Sequence, residues 1–134
     1  MLKKDDNRLV TIFRNFANHY ELPHKKEEGV WRLGIPVNNQ LIHMRYKFHD
    51  SENSYEFGTP LAKIDSSKQA SFSLYLLKSE PAIGLTERIV GDTFFLLGSR
   101  EKLKHLPDSE IHNLFEEDAY RITEYFKNLH LPAN

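Results

Sequence analysis

The sequence predicts an α+β domain in which an antiparallel sheet of five or six strands carries an N-terminal and a C-terminal amphipathic helix on one face. Three observations predict this fold. Residues Leu41–His49 alternate between apolar and basic or titratable side chains, as a half-buried strand does. Apolar residues recur at helical spacing near both ends of the chain. Between them lie short strand-like runs with polar connectors, the pattern of an antiparallel meander.

Length and composition predict one domain over residues 1–134. A chain of 134 residues has the usual size of a single domain. Its hydrophobic content of 40%, with 12% aromatic residues, is that of a globular protein. A folded chain of this length buries roughly two-thirds of its unfolded surface, which is enough for one core.

The first helix is predicted from about Asp6 to Tyr20, with Asp5 or Asp6 as its cap. Pro23 would stop it, and the polar stretch His24–Gly29 predicts a loop. Its apolar residues form one stripe: Leu9, Ile12, Phe13, Phe16 and Tyr20.

Four strand-like runs follow the loop. Turns are expected at Pro36 with Asn38–Asn39, at Asp50–Asn53, and at Asp65–Lys68. A proline inside the third run, Pro60, predicts an edge position or a bulge because it cannot donate to the ladder. The runs are Val30–Ile35, Gln40–His49, Ser54–Ile64 and Ala70–Leu77.

The stretch from Ser79 to Val90 has two interpretations. Ser79 and Pro81 could begin a short helix, but Gly84 in its middle would cost near 1 kcal/mol. The other interpretation, which we prefer, is a tight hairpin around Gly91–Asp92 with strands Leu85–Val90 and Thr93–Leu97. Arg100–Leu106 is compatible with a short helix or a strand.

The last helix is predicted after Pro107, with Asp108 or Ser109 as its cap and Pro132 at its end. Glu117 and Arg121 form an i,i+4 pair on its exposed side. Its buried stripe is predicted to be Ile111, Leu114, Phe115, Ala119, Ile122, Phe126 and Leu129.

Charge and cysteine content exclude several classes of protein. The net charge of −1, from 18 basic and 19 acidic residues, gives no global field to attract nucleic acid or an anionic membrane. The absence of cysteine excludes disulfides and thiolate metal sites, and favours a reducing cytoplasm. The first residues do not have the pattern of a signal peptide, and no apolar run approaches the ~20 residues of a membrane span.

No catalytic, cofactor or metal motif is present. Nucleophile elbows and glycine-rich phosphate loops are missing. His43 and His49 share a strand face but lie about 20 Å apart at ~3.3 Å per residue, too far to bind one metal ion. The acidic runs Glu27–Glu28 and Glu116–Asp118 are interpreted as solvated surface. We therefore expect no cofactor, no metal and no catalytic residue.

The best candidate site is the polar side of the second strand, which carries His43, Arg45, Lys47 and His49. We call these four residues the basic strip. It could bind an acidic peptide or a phosphate-bearing ligand, extended by Lys102, Lys104 and His105. The alternative is an ordinary wet sheet face, with cross-strand partners such as Glu56.

The chain also carries more apolar residues than one covered face requires. Tyr75 and Leu77 lie on the face of their strand opposite Phe72 and Leu74. Tyr120, Tyr125 and Val10 fall outside the helical stripes. Either the outer sheet face is partly covered within the chain, or it meets a protein partner or a second copy.

The order of elements resembles the class I secretion chaperones of bacterial type III systems. The matching parts are the helix Leu9–Tyr20, the strands Val30–Ile35 and Gln40–Phe48, and the closing segment Leu106–Phe126. A helix over Pro81–Val90 would match their middle helix. The resemblance implies an α/β domain, usually dimeric, that holds the unfolded N-terminal segment of an effector.

We therefore predict a cytoplasmic, non-catalytic protein-binding module. One form of it is a secretion-chaperone-like protein, and the other is an inhibitor of the immunity or antitoxin type. Its proposed binding residues are His43, Arg45, Lys47, His49, Tyr75 and Leu77. The alternative from another class is a small-ligand-binding or enzymatic domain. Its pocket would lie between sheet and helices and be lined by aromatics such as Trp31, Tyr46 and Phe72.

Overall fold

The computed structural model describes residues 8–63 and 85–128. A short 3₁₀ turn, Asp50–Glu52, connects the third and fourth strands. The helices and strands in chain order are α1 (Arg8–His19), β1 (His24–Glu27), β2 (Val30–Val37), β3 (Gln40–His49), β4 (Ser54–Lys63), β5 (Leu85–Val90), β6 (Thr93–Arg100) and α2 (Asp108–Asn128).

The described strands form one antiparallel sheet in the order β1-β2-β3-β4-β6-β5. The predicted α+β class, with a helix near each end of the chain, is confirmed. The predicted strands Val30–Ile35 and Gln40–His49 are present, and the predicted strand Ser54–Ile64 is present over its described part, residues 54–63. The run Ala70–Leu77 and the stretch Ser79–Gly84 lie outside the described residues.

The loop predicted at His24–Gly29 was wrong, because its first four residues form the edge strand β1. Lys25 lies opposite Arg32 and Lys26 opposite Trp31 in the ladder. Pairing with the neighbouring strand holds this short, lysine-rich edge strand in place. Because it buries no row of apolar side chains, its sequence lacks the alternation that identifies a strand. Glu28 and Gly29, both with positive φ, make the tight hairpin turn.

The other hairpin turns lie close to the positions that the turn residues predict. Asn38 and Asn39 both have positive φ, as a tight two-residue turn requires, whereas Pro36 lies inside β2 and not in the turn. The register shift between Pro60 and Ala62 confirms the predicted bulge. The β5–β6 hairpin confirms the preferred interpretation over a helix for residues 85–90.

The segment predicted as a short helix or a strand over Arg100–Leu106 is neither after its first residue. Arg100 ends β6, and the following residues form an irregular connection. Lys102 has a φ of 59°, and the N–H of the buried Leu103 donates to the carbonyl of Asn53 at 3.1 Å. A tertiary contact therefore fixes this segment, and local sequence alone could not indicate it.

Both helices pack against the same face of the sheet, which we call the inner face. The Phe13 ring of α1 lies 4.8 Å from the Tyr46 ring of β3 and 5.7 Å from the Phe115 ring of α2. Phe115 in turn lies 5.0 Å from Tyr55 of β4. All four side chains are fully buried, and burial stabilises each by about 1.5–3 kcal/mol.

The predicted helical stripes lie largely in this core. In α1, Leu9, Ile12, Phe13 and Phe16 are buried, while Tyr20 is 47% exposed. In α2 the stripe divides into two sets, and Leu129 lies outside the described residues. Ile111, Phe115 and Ile122 are buried, while Leu114, Ala119 and Phe126 pack against the core only partly buried.

Polar contacts hold the starts of both helices to the loops. Asp50 accepts the N–H of Leu9 at 3.3 Å, so the 3₁₀ turn caps α1 from outside the helix. Asp5 and Asp6, the predicted caps, lie outside the described residues. Arg8 donates to Asp108 at 2.9 Å and to the carbonyl of Leu106. These bonds join the first turn of α1 to the start of α2.

Replacing Gly98 by valine is expected to lower the free energy of unfolding by about 1–3 kcal/mol through overpacking. A Cβ at this inner-face position would lie less than 3.0 Å from the Phe57 ring. Urea unfolding followed by the fluorescence of Trp31 measures the effect. The control is Ser99→Val, which adds the same side chain at the exposed neighbouring position. Equal stability of the two variants would contradict the close packing at Gly98.

Candidate binding surface

The face of the sheet opposite the helices, which we call the outer face, carries the basic strip. Along β3 the side chains alternate, so that Ile42, Met44 and Tyr46 are buried and the intervening residues point away from the helices. His43, Arg45 and Lys47 are exposed, and His49 is half-buried. The structure therefore brings the four predicted residues onto one surface.

The ladder register extends the basic strip across two further strands. Arg45 of β3 lies opposite Arg32 of β2, and Arg32 lies opposite Lys25 of β1. Three cationic residues thus form a row perpendicular to the strands, with neighbours about 4.8 Å apart. Lys25 and Arg32 were not among the predicted site residues, because the sequence predicted a loop where β1 lies.

Carboxylates neutralise the two ends of this cationic surface. Glu27 contacts Lys25 Nζ at 3.1 Å and Arg32 Nε at 2.7 Å. The geometry of the Arg32 contact is not that of a hydrogen bond, so it is an ion pair held by charge. At the other end, Glu56 contacts His49 Nε2 at 2.9 Å, which matches the cross-strand partner expected from the sequence.

Apolar side chains continue the outer face beside the charges. Leu41, at the start of β3, is 45% exposed and covers Gly34 of the neighbouring strand. Leu97 covers Gly58 in the same way, since a Cβ there would lie 2.6 Å from its methyl carbon. The two glycines let these leucines lie flat on the sheet, and the surface has an apolar part next to a cationic part.

A groove of about 550 Å³ lies beside the basic strip. Its lining includes His49, Glu56, Thr86, Arg88, Leu97 and Arg100. Because His49 belongs to the basic strip and, with its partner Glu56, also lines the groove, the two features form one continuous surface. The mixed charges of its lining suit a polar chain better than a purely apolar ligand.

Other candidate residues lie elsewhere or outside the described residues. Tyr75, Leu77 and Phe72 belong to the undescribed part of the chain. Lys102, Lys104 and His105 lie in the connection after β6 and do not continue the strand β3.

The aromatic residues predicted to line a pocket or to fall outside the helical stripes have other positions. Tyr46 is fully buried among aromatic rings, and Trp31 packs against Phe13. Tyr120 is 65% exposed on α2, and Tyr125 donates to Glu87.

A buried carboxylate, Asp118, lies at the centre of a polar network between α2 and the sheet. Its side chain accepts from the Tyr55 hydroxyl at 2.6 Å and from Arg100 Nη2 at 2.7 Å. Arg100 also contacts Glu117 at 2.6 Å, and Glu117 makes the predicted pair with Arg121 at 3.5 Å. The network therefore joins α2 to the paired strands β4 and β6.

The prediction that Asp118 is solvated surface was wrong, since its exposure is 0%. Asp118 follows Phe115 by three residues and precedes Ile122 by four, so helical spacing places it on the buried stripe. This spacing was the sequence signal for it. Its acidic neighbours Glu116 and Glu117 are half-buried and exposed respectively.

The environment of the network favours a structural role. Burial raises the pKa of the Asp118 carboxyl, and the hydrogen bonds from Arg100 and Tyr55 act in the opposite direction. Burial and the nearby charge of Asp118 raise the pKa of the Tyr55 hydroxyl far above its usual range. Because Asp118 is out of reach of solvent and its oxygens are engaged, the network holds α2 on the sheet.

Residues 8–63 and 85–128 contain no group of three or more histidine, aspartate or glutamate side chains arranged to hold a metal ion. No helix within these ranges is long and apolar enough to cross a membrane.

Comparison with known proteins gives a likeness of fold without one of sequence. No protein-family model and no curated sequence matches the chain. The ExsC–ExsE complex matches over 98% of this chain and 100% of the other, with a TM-score of 0.60 and 9% identity. The HopA1–SchA chaperone–effector complex matches over 95% and 96%, with a TM-score of 0.57 and 13% identity.

A third solved structure has a different description. YbjN from E. coli, described as a candidate transcription regulator, covers 87% of each chain with a TM-score of 0.56 and 11% identity. The likeness to type III secretion chaperones predicted from the sequence is thus confirmed for the fold. The presence of YbjN among the similar structures shows that this fold is not restricted to chaperones.

Replacing Asp118 by alanine is expected to lower the free energy of unfolding by about 2–4 kcal/mol, because Arg100 and Tyr55 lose a buried partner. The matched control is Glu117→Ala, which removes the exposed partner of the same Arg100 and should cost less than about 1 kcal/mol. Urea denaturation followed by circular dichroism measures both. A cost for Asp118→Ala as small as that of the control would show that the network does not hold α2.

Proposed function

We propose that this protein binds an extended segment of a partner protein on its outer face, in the manner of a secretion chaperone. The observation that carries the proposal is the likeness of fold, over nearly the whole chain, to two protein complexes, one of them a chaperone–effector complex. A fold hosts several functions, so the chemistry of the outer face has to support the choice.

The outer face has the properties that an extended polypeptide requires. Within the described residues, the helices pack against the inner face, and Arg45 and Lys47 are exposed. The surface combines exposed cationic residues, the apolar Leu41 and an open groove of about 550 Å³. An extended segment presents alternate side chains toward such a surface, and both its apolar and its charged residues would find partners there.

The proposal includes a cytoplasmic location and a homodimer, both of which the resemblance to class I chaperones implies. A dimer whose interface leaves Arg45 and Lys47 exposed, as they are in the single chain, could bind one partner segment on each copy. Light scattering of the purified protein measures the mass directly and is independent of partner binding.

The proposed function is tested by co-purification from native cells. We expect one stoichiometric protein to co-elute with the tagged chain, and a segment of it to be protected from hydrogen exchange only in the complex. The double variant Arg45→Glu/Lys47→Glu should lose the partner. The control Arg14→Glu/Lys127→Glu makes the same charge change at exposed positions on α1 and α2, away from the outer face, and should retain it.

Three outcomes would contradict the proposal. The first is a chain that elutes alone at low and high salt. The second is a partner retained equally by both double variants. The third is a partner bound through a folded active site whose activity is inhibited, which would favour the immunity-like alternative.

A further inference from the structure

We infer that the partner segment is acidic, with carboxylates at alternate positions that face Arg45 and Lys47 and an apolar residue that faces Leu41. This inference rests on the proposed function and specifies the chemistry of the partner. It follows from three features of the outer face: which cations are already paired, how far apart the others are, and what lies next to them.

The first feature is the distribution of ion pairs. Glu27 holds Lys25 and Arg32, and Glu56 holds His49. Arg45 and Lys47 lie between these pairs and, within the described part of the chain, make no hydrogen bond or ion pair. Glu56 lies opposite Lys47 in the ladder, but its carboxylate contacts His49. The neighbouring like charges of Arg45 and Lys47 repel each other, and a carboxylate placed between or above them would relieve the repulsion.

The second feature is the spacing. Arg45 and Lys47 lie two residues apart on β3, so their side chains leave the same face about 6.8 Å apart. An extended segment that runs along β3 repeats its own side chains at the same interval. Aspartate or glutamate at positions n and n+2 of the segment would therefore meet both cations at once. Carboxylates at adjacent positions would point to opposite sides of the segment, and only one could make contact.

The third feature is the apolar end of β3. Leu41 precedes Arg45 by four residues on the same face and is 45% exposed. His43, between them, is also exposed. A matching segment has an apolar residue four positions from the nearer carboxylate. Burial of that residue against Leu41 would add affinity that salt does not screen, while the carboxylates fix the register.

The overall charge of the protein makes this surface selective. A net charge of −1 attracts no acidic chain over long range. Binding of an acidic segment therefore depends on the local pair Arg45 and Lys47, and exposed charges of this kind are screened beyond about 8 Å at physiological salt. The contact should be sensitive both to salt and to the position of each carboxylate.

Synthetic peptides test the inference with the purified full-length protein. The probe is a fluorescein-labelled twelve-residue peptide of alanine, serine and glycine with leucine at position 3 and aspartate at positions 7 and 9, together with its reversed sequence. The first control peptide has the same composition with aspartate at positions 7 and 8. The second control peptide has lysine in place of both aspartates. Fluorescence anisotropy at 50 mM and 500 mM NaCl measures the dissociation constants.

We expect at least one direction of the alternating peptide to bind about tenfold more tightly than either control peptide at low salt, and to weaken at high salt. Arg45→Glu/Lys47→Glu should abolish this preference, and Arg14→Glu/Lys127→Glu should leave it unchanged. Leu41→Ser should weaken binding at both salt concentrations, since its contribution is apolar.

The inference is overturned if the two aspartate patterns bind with equal affinity, or if neither aspartate peptide binds. It is also overturned if the lysine peptide binds as tightly as the alternating aspartate peptide. It is also overturned if 10 mM inorganic phosphate alone displaces the peptide completely, which would identify a simple anion site. These failures differ from failure of the proposed function. A native partner that co-purifies while the alternating peptide shows no preference would leave the chaperone-like role standing and remove only the acidic pattern.

Discussion

The layer of aromatic rings between the helices and the inner face is the interaction on which the rest of the structure depends. Phe13 from α1 and Phe115 from α2 pack against Tyr46 and Tyr55 of the central strands, with ring centres 4.8–5.9 Å apart. Tilted and edge-on contacts of this kind add to the gain from burial. Because one layer contains both helices and two strands, it fixes which face of the sheet is covered.

The covered inner face determines how polar groups are arranged at the edge of the core. Asp118 lies one turn beyond Phe115 and is therefore drawn inside with it. Its burial is costly unless hydrogen bonds compensate, and Tyr55 and Arg100 provide them at 2.6 and 2.7 Å. Such a network contributes little net stability compared with an apolar replacement, but it specifies the position of α2 along β4 and β6.

The same constraint, a covered inner face, determines which side chains lie on the outer face, where we expect the partner to bind. The residues that alternate with the core residues of β3 have to point outward, so the aromatic layer inside places the basic strip outside. Solved structures with this fold include a chaperone–effector complex and a candidate transcription regulator, which means that the fold leaves the function open. The charges and apolar groups on the outer face distinguish between such roles, because they decide what can bind there.

By itself, the sequence determined the features that depend on local periodicity and turn chemistry. The alternation over Leu41–His49 identified β3 and its basic strip, and apolar spacing identified α1 and α2. Gly91–Asp92 indicated the hairpin between β5 and β6. Only the tertiary structure decided the edge strand β1, the irregular path after Arg100, and the row formed by Lys25, Arg32 and Arg45. These features result from pairing and packing between segments, which leave no periodic pattern in any one segment.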